Sequence, residues 1–342
     1  MIKGRILVTG GCGYIGSHTI VELIESGFEV ICVDSLINSN EESLNGVHSI
    51  TGVQVVNLKI DLTLDSSVEL MLNQISNVDG IIHFAALKAV GESVDYALSY
   101  YDNNLKSLLN ILKFKELLNI KAFVFSSSCT VYGETKVLPV KEELDFKPTS
   151  SPYGRSKQMC EQIIMDHFAS KNCSGKAISL RYFNPAGAHP SLHLGESPIN
   201  PALNLVPIIT ETAIGLRKGF SVFGNDYDTR DGTCIRDYIH VVDLAKAHTL
   251  ALESILTNEQ ELNLEYYNLG IGEGVSVLEA INSFEQITNI QLNYNIIGRR
   301  PGDLAATFAD NSKIRKNLRW EPRYNIDDIM RDAWAWEQKR RA

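Results

Sequence analysis

Arg5-Ile6-Leu7-Val8-Thr9-Gly10-Gly11-Cys12-Gly13-Tyr14-Ile15-Gly16 opens as a short apolar run and breaks on spaced glycines. Arg5 to Thr9 reads as a buried strand. A helix-like segment from Ser17 to Ser26 follows, then a second strand from Glu29 to Val33 that ends at Asp34. In a strand–turn–helix of this kind the glycines have separate tasks. One makes the turn, one lets backbone approach a pyrophosphate, and one lets the helix pack closely on the strand. The helix N-terminus then offers unbonded amides to phosphate. Asp34 lies 18 positions after Gly16, about where a carboxylate accepts hydrogen bonds from an adenosine ribose. The same carboxylate repels a ribose phosphate, which favours NAD over NADP. A glycine-rich turn in some other α/β protein is the competing reading. Strand, helix, strand and acid all in register favour the dinucleotide.

The alternation continues downstream. Val53 to Ile60 reads as a strand ending at Asp61, and Val78 to Phe84 as another leading into Ala85-Ala86-Leu87-Lys88. Tyr100 to Leu118 reads as a long helix whose apolar residues cover more than one face. Burial within one chain and contact with a second subunit are both consistent with that breadth. Ala122 to Phe125 is a strand that delivers Ser126-Ser127-Ser128 to its C-terminal end, where ligands bind in open parallel sheets. Lys176 to Leu180 is the next strand. Beyond Arg181 the repeat gives way to helices at 203–216 and 242–254, short strands, and a Pro-, Gly-, Ser- and His-rich loop at 186–202. The expected architecture is therefore α/β. A Rossmann-type doubly wound parallel sheet occupies 1–181, and a smaller mixed α/β domain occupies 182–342, with segments that interleave at the boundary.

Composition narrows the partners. The 342 residues are 44% hydrophobic and 21% charged, with a net charge of −9. That balance disfavours nucleic acid or an anionic membrane as the main ligand. The basic end, Lys339-Arg340-Arg341, reads as a solvated tail. No signal-peptide pattern precedes the first strand, and no apolar run reaches the ~18 residues a membrane span needs. Six cysteines without a Cys-x-x-Cys pair fit free thiols in a reducing cytoplasm. His189 and His193 are four apart, but Pro190 disrupts a helix that would converge them, so no metal site is expected.

Ser151-Pro152-Tyr153-Gly154-Arg155-Ser156-Lys157 carries the candidate chemistry. Ser151 suits an N-cap and Pro152 a first helical position, so Tyr153 and Lys157 share a helix face. A phenol of ordinary pKa ~10 is a poor base at neutral pH, and a neighbouring ammonium favours its ionised form. An ordinary surface Tyr and Lys is the bland alternative. The nicotinamide site at the start of the chain gives the pair its meaning.

The chain resembles the extended short-chain dehydrogenases/reductases, and within them the UDP-galactose (UDP-glucose) 4-epimerases. Gly10, Gly13 and Gly16, the run from His83 to Ser93, Ser126-Ser127-Ser128-Cys129-Thr130-Val131-Tyr132-Gly133 and the Ser151-to-Lys157 segment all match. So do Arg181-Tyr182-Phe183-Asn184-Pro185, Phe223-Gly224-Asn225-Asp226-Tyr227, Arg236-Asp237-Tyr238-Ile239-His240 and Arg299-Arg300-Pro301-Gly302-Asp303. The resemblance runs from about residue 4 to residue 338. The glycine and Tyr/Lys motifs mark only the superfamily, and the later motifs are the specific ones.

The resemblance implies C4 epimerisation of a UDP-hexose through a 4-keto sugar, with one NAD reduced and reoxidised in each turnover. Tyr153 would take the hydroxyl proton, Lys157 would lower the Tyr153 pKa and hold the nicotinamide ribose, and Ser128 would bond the reacting oxygen. Gly10, Gly13, Tyr14, Ile15 and Gly16 would line the pyrophosphate, with Asp34, Asn38 and Ser39 at the adenosine. Asp61 and Leu62 would lie near the adenine, Phe84, Ala85, Lys88 and Asn103 along the cofactor, and Tyr182 near the nicotinamide. For the UDP-sugar substrate the implied set is Asn184, Asn204, Leu205, Phe223, Arg236, Arg300 and Asp303. A homodimer through the 100–118 and 152–171 helices is also implied.

Thr307 departs from the tyrosine that the family carries in enzymes confined to glucose and galactose, which extends the expected range to N-acetylated UDP-hexoses. A 4,6-dehydratase would need an Asp-Glu pair after a Thr, where this chain has Ser128-Cys129. Another reductase or decarboxylase of the superfamily, and a catalytically silent dinucleotide sensor, remain as alternatives.

Overall fold

The computed structural model describes residues 2–300 and 302–342. Met1 and Pro301, which fall in segments read above, lie outside the described residues. In chain order the first half runs β1 (Arg5–Thr9), α1 (Tyr14–Glu25), β2 (Glu29–Val33), α2 (Glu42–Thr51), β3 (Asn57–Leu58), α3 (Ser67–Gln74) and β4 (Gly80–His83). It continues through α4 (Val90–Asp95), α5 (Ala97–Leu117), β5 (Ala122–Ser128), α6 (Pro152–Ala169) and β6 (Lys176–Tyr182). Then come β7 (Asn184–Ala186), α7 (Leu205–Ala213), β8 (Phe220–Phe223), β9 (Ile235–Arg236), β10 (Tyr238–His240), α8 (Val241–Leu256) and β11 (Leu264–Leu269). The chain closes with β12 (Val275–Ser276), α9 (Val277–Thr288), β13 (Tyr294–Ile297), β14 (Ala306–Thr307), α10 (Ser312–Leu318) and α11 (Ile326–Arg341).

Seven strands form one parallel sheet in the order β3-β2-β1-β4-β5-β6-β11. This is the expected doubly wound Rossmann arrangement, with the order reversing between β1 and β4. Ile6, Leu7 and Val8 are fully buried because β1 is central and covered on both faces. One face packs against α1, α2 and α8 through Ile20, Leu23, Val47, Leu244 and Leu252. The other packs against α3, α5 and α6 through Met71, Leu108, Ile111, Phe114, Ile164 and Phe168.

Two strands differ from their expected extents. The segment read as a strand from 53 to 60 pairs only at Asn57 and Leu58, because it is the sheet edge and Val53 and Val56 are exposed. β5 runs on to Ser128, since every residue from Ala122 to Ser128 pairs with β6. Ser128 is therefore held by the sheet rather than by a loop. A single cut after 181 would also sever this sheet, because β11 pairs with β6 along its length and α8 covers its face. A second core, from α7, α9, α11 and β8, gathers Val206, Ile209, Val222, Ile281, Phe284 and Met330.

Three histidines sit inside the molecule in neutral form. Burial holds His18 and His83 down at about 3 and His248 at about 4, against an ordinary 6.5. Once unfolded each titrates near its ordinary value, so below about pH 6.5 the unfolded chain binds more protons than the folded one. Each then costs on the order of 1.5 kcal/mol of stability between about pH 6.5 and pH 5. Asp237, pushed up to about 6 by burial, acts in the opposite sense and restores about 1 kcal/mol over the same range. Melting temperature is expected to fall steadily from pH 7 to 5 as a result. A midpoint that stays flat or rises over that range would show that these histidines are not buried neutral.

Candidate active site

The C-terminal ends of β1, β2, β4, β5 and β6 converge on one edge of the sheet. At β1, Gly10 adopts φ +69, and a Cβ there would lie 2.7 Å from the Ala85 amide nitrogen. A Cβ at Gly16 would stand 2.3 Å from the Gly10 carbonyl oxygen. Gly13 caps α1 without a side-chain hydrogen bond, which leaves first-turn amides for an anion. Asp34, buried at the end of β2, accepts from the Cys12 amide at 3.0 Å, the Leu36 amide at 2.9 Å and the Ser39 hydroxyl at 2.7 Å. Oδ1 takes the Leu36 and Ser39 donors, while Oδ2 takes only Cys12 and keeps a lone pair for a further donor. The glycine cradle and this acid fit a dinucleotide.

The other cofactor candidates take varied places. Tyr14 donates to the Gly187 carbonyl at 2.7 Å, linking α1 to the long loop of the second half. Ile15 packs on the core beneath the glycine turn. Asn38 is exposed. Asp61 accepts from the Thr63 amide and hydroxyl, and the buried Leu62 accepts from Asn110 through its carbonyl at 2.9 Å. Phe84 lies against the His248 ring. Lys88 is exposed and sits 3.6 Å from Glu196. Asn103 is half-buried on α5. Tyr182 donates to His248 Nε2, whose other ring nitrogen bonds the Leu244 carbonyl at 2.8 Å.

α6 begins as its sequence predicts, with the Ser151 hydroxyl accepting from the Gly154 amide and Pro152 in the first turn. Lys157 is buried; its ammonium donates to the Ser126 carbonyl at 2.7 Å and stands 4.8 Å from the Phe125 ring centre. Ser128 accepts from the Thr130 amide and hydroxyl, at 3.2 and 3.0 Å. Burial pushes Lys157 down to about 8, partly offset by the Cys160 and Glu161 side chains. Burial pushes Tyr153 up to about 12, with the Ser128 hydroxyl drawing it part of the way back. Desolvation is the largest influence on the phenol, and the Lys157 ammonium is turned towards the Ser126 carbonyl.

On the substrate side, pairing of β9 with β14 places Thr307 beside Arg236. Asp303 lies between the two guanidiniums, 3.4 Å from Arg236 and 2.7 Å from Arg300. It is thus already engaged, and its first task is to hold two cations side by side. Arg300 lies 5.4 Å from the Phe223 ring centre, so an aromatic face and fixed positive charge meet there. The backbone amide of Asn184 donates to the Asp237 carbonyl at 2.9 Å. Asn204, just ahead of Leu205 at the start of α7, bonds Glu196 at 3.4 Å instead of joining the arginines.

Sequence reasoning missed two buried residues. Asn104 donates to the Leu87 carbonyl and to Ser156 on α6, and accepts from the Leu87 amide, so it couples the loop after β4 to the Tyr153 helix. Flanked by Asp102, Asn103, Lys106 and Ser107, it carried no sequence signal that set it apart. The carboxylate of Asp237, within a recognised motif, bonds no ligand candidate. It accepts from the Ile271, Gly272 and Ala309 amides at 2.7, 3.1 and 3.0 Å and ties three loops together.

The family model described as GDP-mannose 4,6 dehydratase matches residues 7–333. The UDP-glucose 4-epimerase of Dictyostelium discoideum is 47% identical over 339 residues, covering 98% of this chain and 96% of that one. The UDP-glucose 4-epimerase of Bacillus subtilis is 45% identical over 332 residues, with 97% and 96% covered. Among solved structures, a UDP-glucose-4-epimerase from Stenotrophomonas maltophila with bound NAD and formylated UDP-arabinopyranose superposes with a TM-score of 0.93. It is 41% identical and covers 99% of this chain and 100% of its own. The Bifidobacterium longum UDP-glucose 4-epimerase in complex with NAD+ and UDP gives 0.91 at 46% identity, with 98% of each chain covered.

Proposed function

The chain belongs to the UDP-glucose 4-epimerase family of extended short-chain dehydrogenases/reductases, and from that premise we propose how its own residues carry the reaction. It is an isomerase that inverts C4 of UDP-hexoses and uses NAD as cofactor. The observation that carries the assignment of residues is the meeting of Ser128, Tyr153 and Lys157 beside the dinucleotide cradle. The cofactor, when bound, would supply a hydride acceptor and donor.

Ser128 would hold the C4 oxygen, and Tyr153 would take its proton as hydride leaves C4. Lys157 would hold the ribose next to the nicotinamide while its ammonium stabilises the phenolate. Arg236 and Arg300 would clamp the diphosphate. The 4-keto sugar would then turn about its diphosphate link, present its other face and take the hydride back at C4, while Tyr153 returns the proton to the C4 oxygen. Ser128-Cys129 leaves no acid pair for dehydration, despite the dehydratase wording of the family model. Proton NMR on the purified protein with UDP-galactose and no added NAD tests this. Conversion to UDP-glucose without net NADH is expected, and steady NADH formation or consumption would point to a reductase instead.

Thr307 extends the range to N-acetylated UDP-hexoses, because a short side chain beside Arg236 leaves room next to C2. A solved UDP-Glc/GlcNAc 4-epimerase from Campylobacter jejuni, 34% identical over 98% of this chain with a TM-score of 0.82, shows that such a range occurs in this fold. Thr307→Tyr is expected to lower UDP-N-acetylgalactosamine turnover by about tenfold or more, while sparing UDP-galactose. Equal turnover of the N-acetyl substrate would remove Thr307 as the gate.

We also propose a homodimer through α5 and α6, on which Leu98, Leu109, Met159 and Met165 are exposed. Sedimentation that shows only a monomer at micromolar concentration would refute it. All six cysteines are free thiols, which supports a cytoplasmic location. Recovery of the native protein only from a secreted fraction would overturn that placement. Among the described residues no helix is long and apolar enough to cross a membrane.

A further inference from the structure

Behind the reacting groups lies a charged pair that the mechanism above does not use. Glu161 follows Lys157 by one turn of α6 and is 1% exposed; Arg181, the residue before Tyr182 on β6, is 3% exposed. The guanidinium grips the carboxylate in two places, at 3.0 and 2.7 Å. Ser127 donates its hydroxyl to the same carboxylate. Arg181 also donates to the Tyr132 hydroxyl at 2.9 Å and the Glu142 carbonyl at 3.0 Å, in the segment that follows Ser128. The rings of Tyr132, Phe146 and Tyr266 surround its cation.

Burying two charges is costly, and apolar residues of similar volume often serve stability as well. The placement of this pair suggests what it does instead. Ser127 lies between Ser126, whose carbonyl receives the Lys157 ammonium, and Ser128. We infer that the Glu161–Arg181 pair is a positioning device for the epimerase reaction: it fixes the end of β5 against α6 and gives Lys157 a negative neighbour. This rests on the functional reading above.

The other groups facing Lys157 are Tyr153 and Cys160 on α6, His83 on β4, and the Phe125 ring and Ser126 carbonyl on β5. His83 is neutral at working pH and Cys160 is held in its thiol form by burial. Glu161 is thus the carboxylate that favours the Lys157 ammonium against the desolvation around it, and Arg181, beyond it, fixes where that carboxylate stands.

Two variants separate the two effects. Glu161→Gln/Arg181→Met removes both charges and keeps an acceptor for Ser127. Its alkaline limb of kcat is expected to move about one pH unit lower, with melting temperature and UDP affinity near wild type. Ser127→Ala removes only the hydroxyl tie. It is expected to lower kcat roughly tenfold without moving the limb, the KM or the melting temperature. If wild type epimerises and both variants match it in kcat and pH profile, the pair is merely structural and the inference falls. If the double variant does not fold, Ser127→Ala decides alone, and unchanged kcat overturns the inference. A wild-type chain inert towards every UDP-hexose overturns the functional reading, and this inference with it.

Discussion

Replacing Tyr153 with phenylalanine is expected to lower epimerisation of UDP-galactose by about a thousandfold, with the affinity for UDP unchanged. Phenylalanine keeps the ring and its packing, so only the hydroxyl is lost. No nearby group can take over. Lys157 is a cation spent on the Ser126 carbonyl, and the Ser128 hydroxyl is a far weaker base than a phenolate. The proposed uridine diphosphate anchors, Phe223, Arg236, Arg300 and Asp303, stand on β8, β9 and the segment before β14 and not on α6 itself. NMR turnover together with UDP titration checks this. A variant that keeps more than about a tenth of wild-type turnover would remove Tyr153 as the proton carrier.

The second large effect is expected at Gly16. Its missing Cβ would lie 2.3 Å from the Gly10 carbonyl oxygen and 2.9 Å from the Gly11 Cα, and both neighbours are backbone. Gly16→Ala must therefore push α1 away from the turn after β1, which distorts the phosphate cradle as well as the packing. The purified variant is expected to carry less than about a tenth of the bound NAD that wild type carries, read by releasing and quantifying the nucleotide. Gly91→Ala on α4 is the control, since nothing lies within 4 Å of a Cβ there. Equal NAD content in the Gly16 variant would show that the turn does not hold the pyrophosphate.

Much of this architecture was legible because parallel strands covered on both faces read as apolar runs, as at Ile6-Leu7-Val8 and Ile81-Ile82. The Ser151-Pro152 start of α6 was legible because capping is local chemistry. The extent of β5 was not, since three serines give no apolar signal and only pairing with β6 shows that Ser128 belongs to a strand. Asn104, Asp237 and the Glu161–Arg181 pair were hidden for a similar reason. Each acts through partners tens of residues away, which no spacing rule brings together. The surroundings of Tyr153 were not legible either, because a four-residue spacing reveals neither depth of burial nor where the ammonium points.

The place of β11 bears on how the molecule comes into being. A nascent chain that has just emitted β6 has its glycine turn, its Tyr/Lys helix and most of its parallel strands. The outer edge of β6 is then bare, and the face destined for α8 is uncovered. The dinucleotide half is thus finished only after β7 to β10 and the start of the second core have been made. During synthesis the two halves must mature together, because the sheet is complete only once β11 has been made.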